Sequence, residues 1–206
     1  MPARTRPLRA DAARNRDKLL AAGTQVFAER GLDAPLEEVA RRAGVSIGTL
    51  YNHFPTRQAF LVAILPGHLE PLERITAAAL ADPDPWTGFV AYLDGLFALQ
   101  AADRALNDAV ARQFRQVGDV HESCPRGLED ATRIIERARR SGRLRADFEV
   151  DDLVVMIWAM SQVIRESADT APDAWRRCLS FFLHGLDAGP GAAAHNDTAP
   201  GRPAAP

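Results

Sequence analysis

The chain has 206 residues, of which 47% are hydrophobic and 25% charged, a composition typical of a globular protein with a substantial core. It lacks the apolar run of about 18 residues that a membrane span needs and the apolar segment of a signal peptide, and two cysteines do not suggest a disulfide framework, so we expect a cytoplasmic protein. The net charge of −2 by itself neither favours nor excludes nucleic acid as a partner.

The distribution of charge is more informative than its sum. Residues 1–60 carry ten Lys or Arg and six Asp or Glu, whereas the remaining residues carry fifteen and twenty-one. The first sixteen residues include five arginines: Arg4, Arg6, Arg9, Arg14 and Arg16. A basic arm before a compact segment is typical of a protein that binds a polyanion, and a solvated, disordered N-terminus explains the same charge equally well.

Apolar residues recur at helical spacing almost throughout the chain, and no strand-like alternation is sustained, so the sequence predicts an all-α fold with about nine helices. The first helix is predicted from Asp11 or Arg14 to Arg30, with Gly31 as its C-terminal cap. The predicted organisation has four parts, namely a basic flexible arm over 1–10, a small helical head over 11–56, a larger helical domain over 57–187, and a disordered tail over 188–206.

Short helices are predicted next. The second follows Pro35, which is favourable at a first helical position, and ends at Gly44. Ser46 and Thr56 are predicted N-caps of a third and a fourth helix. Because proline removes a backbone hydrogen bond inside a helix, we expect the fourth to be kinked or broken near Pro66. The later helices are predicted at Trp86 to Gln100, 103–116, 124–140, 151–168 and 172–187.

The segment LEEVARRAGVSIGTLYNHF, residues 36–54, places two short helices on either side of a tight turn at Gly44. The side chains predicted to face inward and fix the angle between them are Leu36, Val39, Ala40, Val45 and Leu50. The side chains predicted to lie on the exposed face are Ile47, Gly48, Thr49, Tyr51, Asn52 and His53. This pattern predicts a helix-turn-helix whose second helix enters the major groove of DNA.

Residues 14–64, and the run GVSIGTLYNHFPTR above all, resemble the DNA-binding head of the tetracycline-repressor (TetR/AcrR) family. The resemblance implies a set of DNA-contacting residues, which are Arg42, Ser46, Ile47, Gly48, Thr49, Tyr51, Asn52, His53 and Arg57. In this set Tyr51, His53 and Arg57 would bind phosphates and Asn52 could pair with adenine, while Arg42 is as consistent with a solvated surface. The N-terminal arginines could follow the minor groove.

The sequence departs from the family pattern before its second helix. Many family members have Thr or Ser there, whereas this chain has Ala34-Pro35, which removes an expected cap and phosphate contact. Glu37 would repel a phosphate if it faced DNA.

The C-terminal half carries broad apolar faces, above all the run LVVMIWAM at 153–160. A helix that is apolar on every side needs cover on two sides, which predicts a four-helix interface in a homodimer, as the resemblance also implies. The predicted interface residues are Leu153, Ile157, Met160, Ile164, Trp175, Leu179, Phe182, Leu183 and Leu186. Such a dimer would place two recognition helices about one DNA turn apart on a near-palindromic operator of double-stranded DNA.

The resemblance also implies a pocket for a small-molecule effector among the middle helices. The candidate lining residues are Trp86, Phe89, Tyr92, Phe97, Phe114 and Trp158, with Gln113 or Gln162 as polar anchors. Apolar walls favour a hydrophobic effector, although ordinary core explains each aromatic side chain better than ligand contact does.

We expect neither enzymatic activity nor a cofactor or metal. None of the five histidines lies in an H-E-x-x-H motif, His121 and Cys124 form only a lone H-x-x-C, and no strand precedes a glycine-rich phosphate loop. Two alternatives remain open. One is a protein of the same fold that binds DNA without specificity or without a small-molecule switch, and the other is an activator.

Overall fold

The computed structural model describes residues 5–113 and 125–189, and within them the side chains of 11–111 and 126–189. Over these residues the chain forms nine helices and no strand, apart from one isolated bridge between Leu144 and Asp187. The helices are α1 Thr5–Arg30, α2 Leu36–Ala43, α3 Ile47–His53, α4 Arg57–Ala81, α5 Pro85–Ala102, α6 Arg104–Gln113, α7 Pro125–Arg140, α8 Val150–Ser167 and α9 Ala174–Leu186. The prediction of an all-α fold is therefore confirmed. Within the described part, none of the helices is long and apolar enough to cross a membrane.

Two boundaries near the N-terminus differ from the prediction. Helix α1 begins at Thr5 rather than at Asp11 or Arg14, so part of the expected arm 1–10 is helical. Pro7 lies in the first turn, where its missing N–H has no intrahelical partner to lose. Pro35 is the N-cap of α2 rather than its first helical residue.

Helix α4 is not broken at Pro66, so the predicted break is wrong, whereas the predicted kink stays a prediction. The helix runs without interruption through Pro66 and Pro71. Because Pro66 has no N–H, the carbonyl of Val62 loses its helical hydrogen-bond partner. Val62, Pro66 and Gly67 are all exposed. Water can therefore bond to the freed carbonyl, which lowers the cost of keeping the helix continuous.

The first of two hydrophobic cores lies among α1, α2, α3 and the beginning of α4, which together form the head. Leu19, Phe27, Leu50 and Phe60 are fully buried in it. Helix α1 lies close to α4 because Gly23 has no Cβ, and a Cβ there would come within 2.4 Å of the Phe60 ring. This close contact makes α4 part of the head as well as the connection to the rest of the chain.

The second core joins α5, α7, α8 and α9 and forms the body. Asp84 caps α5 by accepting hydrogen bonds from the N–H groups of Thr87 (3.3 Å) and Trp86 (2.9 Å), and these bonds hold the pKa of Asp84 below its ordinary value. The Arg137 guanidinium donates to the carbonyl of Leu80 at 2.6 Å and so caps the C-terminal end of α4.

Helix α6 connects the head to the body. Its Ala105 is 2% exposed and belongs to the head core. The Asp108 carboxylate accepts a hydrogen bond from the N–H of Leu32, in the loop between α1 and α2, at 3.0 Å. On the body side, the Asn107 amide donates to the carbonyl of Ser161 in α8 at 3.1 Å. Any displacement of α6 therefore strains contacts with both units.

Several predictions fall wholly or largely outside the described residues. These are the effector contacts at Gln113 and Phe114, the DNA contacts of the Arg4, Arg6 and Arg9 side chains, the His121 and Cys124 pair, and the tail, of which only 188 and 189 are described. In the part of the chain that the structure describes, no group of three or more His, Cys, Asp or Glu side chains could hold a metal ion.

Candidate functional site

The turn between α2 and α3 has the geometry that the sequence predicts. Gly44 adopts a left-handed conformation with φ of 69°, which favours glycine, and the N–H of Val45 donates to the carbonyl of Ala40 at 3.0 Å. The Ser46 hydroxyl accepts a hydrogen bond from the N–H of Thr49 at 3.1 Å and caps α3. The orientation of α3 is therefore set by backbone bonds at its first turn.

One face of α3 is anchored and the other is exposed. Leu50 has no exposed surface, and Phe54, just after the helix, packs edge-on against Phe60 with 4.9 Å between ring centroids. The predicted contacts that are exposed are Arg42, Ser46, Gly48, Tyr51 and Asn52. The half-buried ones are Ile47, Thr49, His53 and Arg57, with Ile47 packed against the head core. The exposed stripe of α3 is therefore polar, with Tyr51 as its largest side chain.

Arg42 is held by a carboxylate in the same head. Its guanidinium donates two hydrogen bonds to Glu29 of α1, both at 2.7 Å. This bidentate pairing raises the pKa of Arg42 and lowers the pKa of Glu29. A phosphate would have to compete with Glu29 for this side chain.

Arg57 has structural partners that the sequence did not indicate. Its guanidinium donates to the carbonyl of Leu32 and, at 2.8 Å, to that of Ala34, and it lies over the ring of Phe27. These contacts hold the loop between α1 and α2 against the start of α4. Phosphate binding by Arg57 stays a prediction. It would require the guanidinium to donate to a phosphate as well as to the two loop carbonyls.

Arg16 lies beside the end of the recognition helix rather than in a separate arm. It is part of α1, is exposed, and its guanidinium carbon lies 5.4 Å from the centroid of the Phe54 ring. This places a cation next to Phe54, on the side of the head where α3 ends. Arg14, by contrast, pairs with Asp11 on the surface of the same helix.

The start of α2 carries the departure seen in the sequence. Pro35 offers no side-chain cap, and Glu37 is exposed in the first turn. Glu38 faces the other way and pairs with Arg30 and, at 3.5 Å, with Arg41. The repulsion expected of Glu37 near DNA therefore stays a prediction.

The predicted effector pocket is filled in this structure. Trp86, Phe89, Tyr92 and Phe97 are at most 7% exposed and pack within the body core. Trp158 is 43% exposed on the outer side of α8, so it does not line a pocket inside the body. The four buried aromatic side chains are core because they lie on the broad apolar face of α5, which packs against α4, α7 and α8.

Two cavities lie instead on either side of α6. One, of about 240 Å³, has polar walls that include Gln100, Asn107 and Arg104, and the Gln100 amide finds no hydrogen-bond partner among the described residues. The other, of about 300 Å³, is largely apolar and contains His68. The sequence analysis missed Gln100 and His68, because a lone polar residue in an apolar helix carries no motif.

The predicted dimer contacts need correction because most face their own protomer. Seven of them are already buried there, namely Leu153, Ile157, Met160, Ile164, Trp175, Leu179 and Leu186. Phe182 is 38% exposed and Leu183 is half-buried. The exposed apolar side chains on the outer side of α8 and α9 are Val155, Trp158, Phe181 and Phe182, and we call this set the outer face.

Comparison with known proteins places both halves of the chain. Residues 19–64 match the family model of bacterial regulatory proteins of the tetR family. Residues 84–188 match the model of the C-terminal domain of SbtR-like transcriptional regulators. The two matches coincide with the head and with the body.

A solved TetR transcriptional regulator from Streptomyces coelicolor is 30% identical, and the alignment covers 84% of this chain and 98% of that one, with a TM-score of 0.57. The repressor BepR of Brucella suis is 28% identical over 169 residues, which are 75% of this chain and 80% of that protein. The activator FasR of Mycolicibacterium smegmatis is 41% identical over 58 residues, covering 28% of this chain and 26% of its own. Several curated relatives are matched over less than half of their own length.

Proposed function

Because the chain belongs to the TetR family of DNA-binding transcriptional regulators, we propose that it acts as a dimeric repressor that a small hydrophobic effector releases from a near-palindromic operator. The observation that carries the DNA-binding part is the exposed polar face of α3, whose opposite face is fixed by the fully buried Leu50. A helix anchored in this way can enter a major groove without rearrangement of the head.

Within the head, we assign reading of bases to Asn52, whose side chain is exposed and whose amide can bond to adenine. We assign phosphate contacts to Tyr51, which is 45% exposed, and to His53. We also assign one to Arg16, which lies beside the end of α3. Arg42 and Arg57 join this set only if DNA competes for the groups that hold them.

The dimer is proposed through the outer face. Phe181 is 64% exposed, Val155 53% and Trp158 43%, and such apolar side chains gathered on two adjacent helices favour a covering partner. A second copy supplies the same surface around a two-fold axis, as a self-complementary interface requires. The distance between the two recognition helices would then follow from the packing of α8 and α9.

Repression is favoured over activation because BepR, matched over 80% of its length, is a repressor, while the activator FasR is matched over only 26%. The sign of regulation depends on where the operator lies, so activation is the second candidate. Because a regulator of chromosomal DNA acts where the chromosome is, we propose a cytoplasmic location.

The test is to sequence the DNA that the protein retains from random fragments and then to footprint the selected sequence. A specific regulator is expected to enrich a short near-palindrome and to protect one or two turns of it. Enrichment of no sequence, or broad protection, would instead support a non-specific DNA-binding protein.

Replacement of Asn52 by alanine should change the enriched sequence, whereas replacement of Tyr51 by phenylalanine should weaken all sequences alike. If both variants retain the wild-type preference and affinity, the assignment of α3 as the recognition helix is wrong.

A further inference from the structure

The apolar cavity beside α6 lies at the junction of the head and the body. It has a volume of about 300 Å³, which is at the lower end of the range for small-molecule sites, and it is partly open to solvent. Leu61 and Leu65 of α4 form one wall, Leu106 and Ala109 of α6 form another, and Leu32 reaches it from the loop between α1 and α2. A molecule in this cavity would therefore contact helices of both units at once.

His68 is a polar group set into this apolar wall. Its side chain is 5% exposed, and Nδ1 is hydrogen-bonded to the Asp103 carboxylate. The other oxygen of Asp103 accepts from the N–H of Leu106 at 3.0 Å, so the carboxylate is held by the first turn of α6. Among the described residues, Nε2 of His68 has no hydrogen-bond partner.

The partners of His68 define what its free nitrogen can bind. A carboxylate only accepts hydrogen bonds, so the bond with Asp103 places the proton of the neutral imidazole on Nδ1. Nε2 is then an acceptor with an unused lone pair. The complementary group is an O–H or N–H donor that reaches it from inside the cavity.

Water fits this position poorly. A buried water keeps two to four hydrogen bonds, roughly three on average, and needs polar walls to make them. Among the described residues that line the wall, Gln58 is the only polar side chain apart from His68, and it is exposed. A molecule that is apolar apart from one donor matches the cavity better, because its apolar part replaces the bonds that a water would leave unmade.

We propose that this cavity binds a small apolar molecule with one phenolic hydroxyl, whose O–H donates to Nε2 of His68. The exposed apolar side chains of Val62 (59%) and Leu65 (46%) flank its opening on α4. The proposal rests on the proposed function in one respect, which is that occupancy of a head–body junction changes the affinity for operator DNA.

Binding is tested without DNA, using 4-ethylphenol, 4-ethylbenzoic acid and ethylbenzene with the full-length protein. Titration calorimetry gives each Kd, and the ¹⁵N resonances of the His68 ring report whether Nε2 is contacted. We expect 4-ethylphenol to bind saturably, to shift the Nε2 resonance, and to bind about tenfold more tightly than ethylbenzene. 4-Ethylbenzoic acid is ionised at neutral pH and carries no hydroxyl proton, so it should show no such preference. Equal binding of ethylbenzene, or no saturable binding of any probe at millimolar concentration, overturns the proposal.

Two variants locate the site. His68→Phe keeps an aromatic ring but removes Nε2, and is expected to abolish the preference for the hydroxyl-bearing probe. Ala109→Leu fills the cavity without touching His68 and should weaken all three probes. Ala78→Leu makes the same change at an exposed position of α4 outside the cavity and should leave binding unchanged. If His68→Phe fails to fold, Ala109→Leu still tests the site. If Ala109→Leu and Ala78→Leu both bind the probes as tightly as wild type, the proposed location is wrong.

The link to regulation is measured separately, as the operator affinity with and without the bound probe. A probe that binds but leaves operator affinity unchanged contradicts the regulatory role and leaves the site in place. Absence of any operator, together with saturable probe binding, would instead contradict the proposed function.

Discussion

Truncation of Phe181 is the most direct test of the outer face as the dimer interface. Phe181 lies on α9 and is 64% exposed, the largest exposed fraction among the bulky apolar side chains that the structure describes. The change Phe181→Ala removes a ring that supports no core of its own protomer. We therefore expect it to weaken dimerisation while leaving the unfolding of the protomer nearly unchanged.

The size of the effect follows from the exposed area. A phenylalanine buries about 150–200 Å² when covered, so the exposed part of Phe181 corresponds to about 100–130 Å². At about 25 cal/mol per Å², counted twice in a symmetric dimer, complete covering is worth about 5–6 kcal/mol. Since alanine retains its Cβ and an interface rim stays wet, we expect about half of this, or about a 100-fold increase in the dimer Kd.

Sedimentation equilibrium over a wide concentration range measures that Kd. The matched control is Val62→Ala, which truncates a side chain that is 59% exposed on α4 and lies outside the outer face. Wild type and this control should dimerise alike. If Phe181→Ala dimerises as tightly as both, or if wild type is monomeric at high concentration, the interface lies elsewhere or does not exist.

Three further predictions concern the head and the body. Arg57→Met should lower the free energy of unfolding by about 1–3 kcal/mol in urea titrations, because two loop carbonyls lose their donor, whereas Asn52→Ala should change it by less than about 0.5 kcal/mol. Gly88→Ala should cost about 1–3 kcal/mol because its Cβ would lie 2.5 Å from a carbonyl oxygen of α4, and Gly185→Ala, with open space around it, should cost nothing measurable by the same assay. Asp84→Ala should lower Tm at pH 7, and the difference in Tm from wild type should shrink below about pH 4. The reason is that folding lowers the pKa of this carboxyl, which therefore stabilises the fold only while it is ionised. A difference in Tm that grows on acidification would contradict this.

The helix-turn-helix could be predicted because each of its signals is local. A capping serine, a glycine in the left-handed conformation and an apolar residue at the centre of α3 act within a few residues of one another. Ser46, Gly44 and Leu50 therefore have in the structure the roles that the sequence indicates. The partners of Arg57 could not be predicted in this way, because the carbonyls of Leu32 and Ala34 lie more than twenty residues earlier in the chain.

The outer face shows where pattern alone is insufficient. An uninterrupted apolar run such as 153–160 does not indicate which stripe of the helix faces the core. The structure places Leu153 and Ile157 inward and Val155 and Trp158 outward, a choice made by the packing of α5 and α9 against α8. The same limit affected the predicted pocket, since aromatic residues on an apolar helix are consistent with core and with ligand contact alike.

The position of α6 bears on how such a regulator could respond to a small molecule. The head is not an independent unit, because Ala105 of α6 completes its core and Asp108 holds the N–H of Leu32. His68 binds Asp103 at the start of the same helix, so α4 and α6 are joined by a buried polar contact beside the apolar cavity. A ligand that binds more tightly in one arrangement of these helices must favour the head orientation that belongs to it. By linkage, DNA that selects one head orientation must change the affinity for that ligand by the same factor.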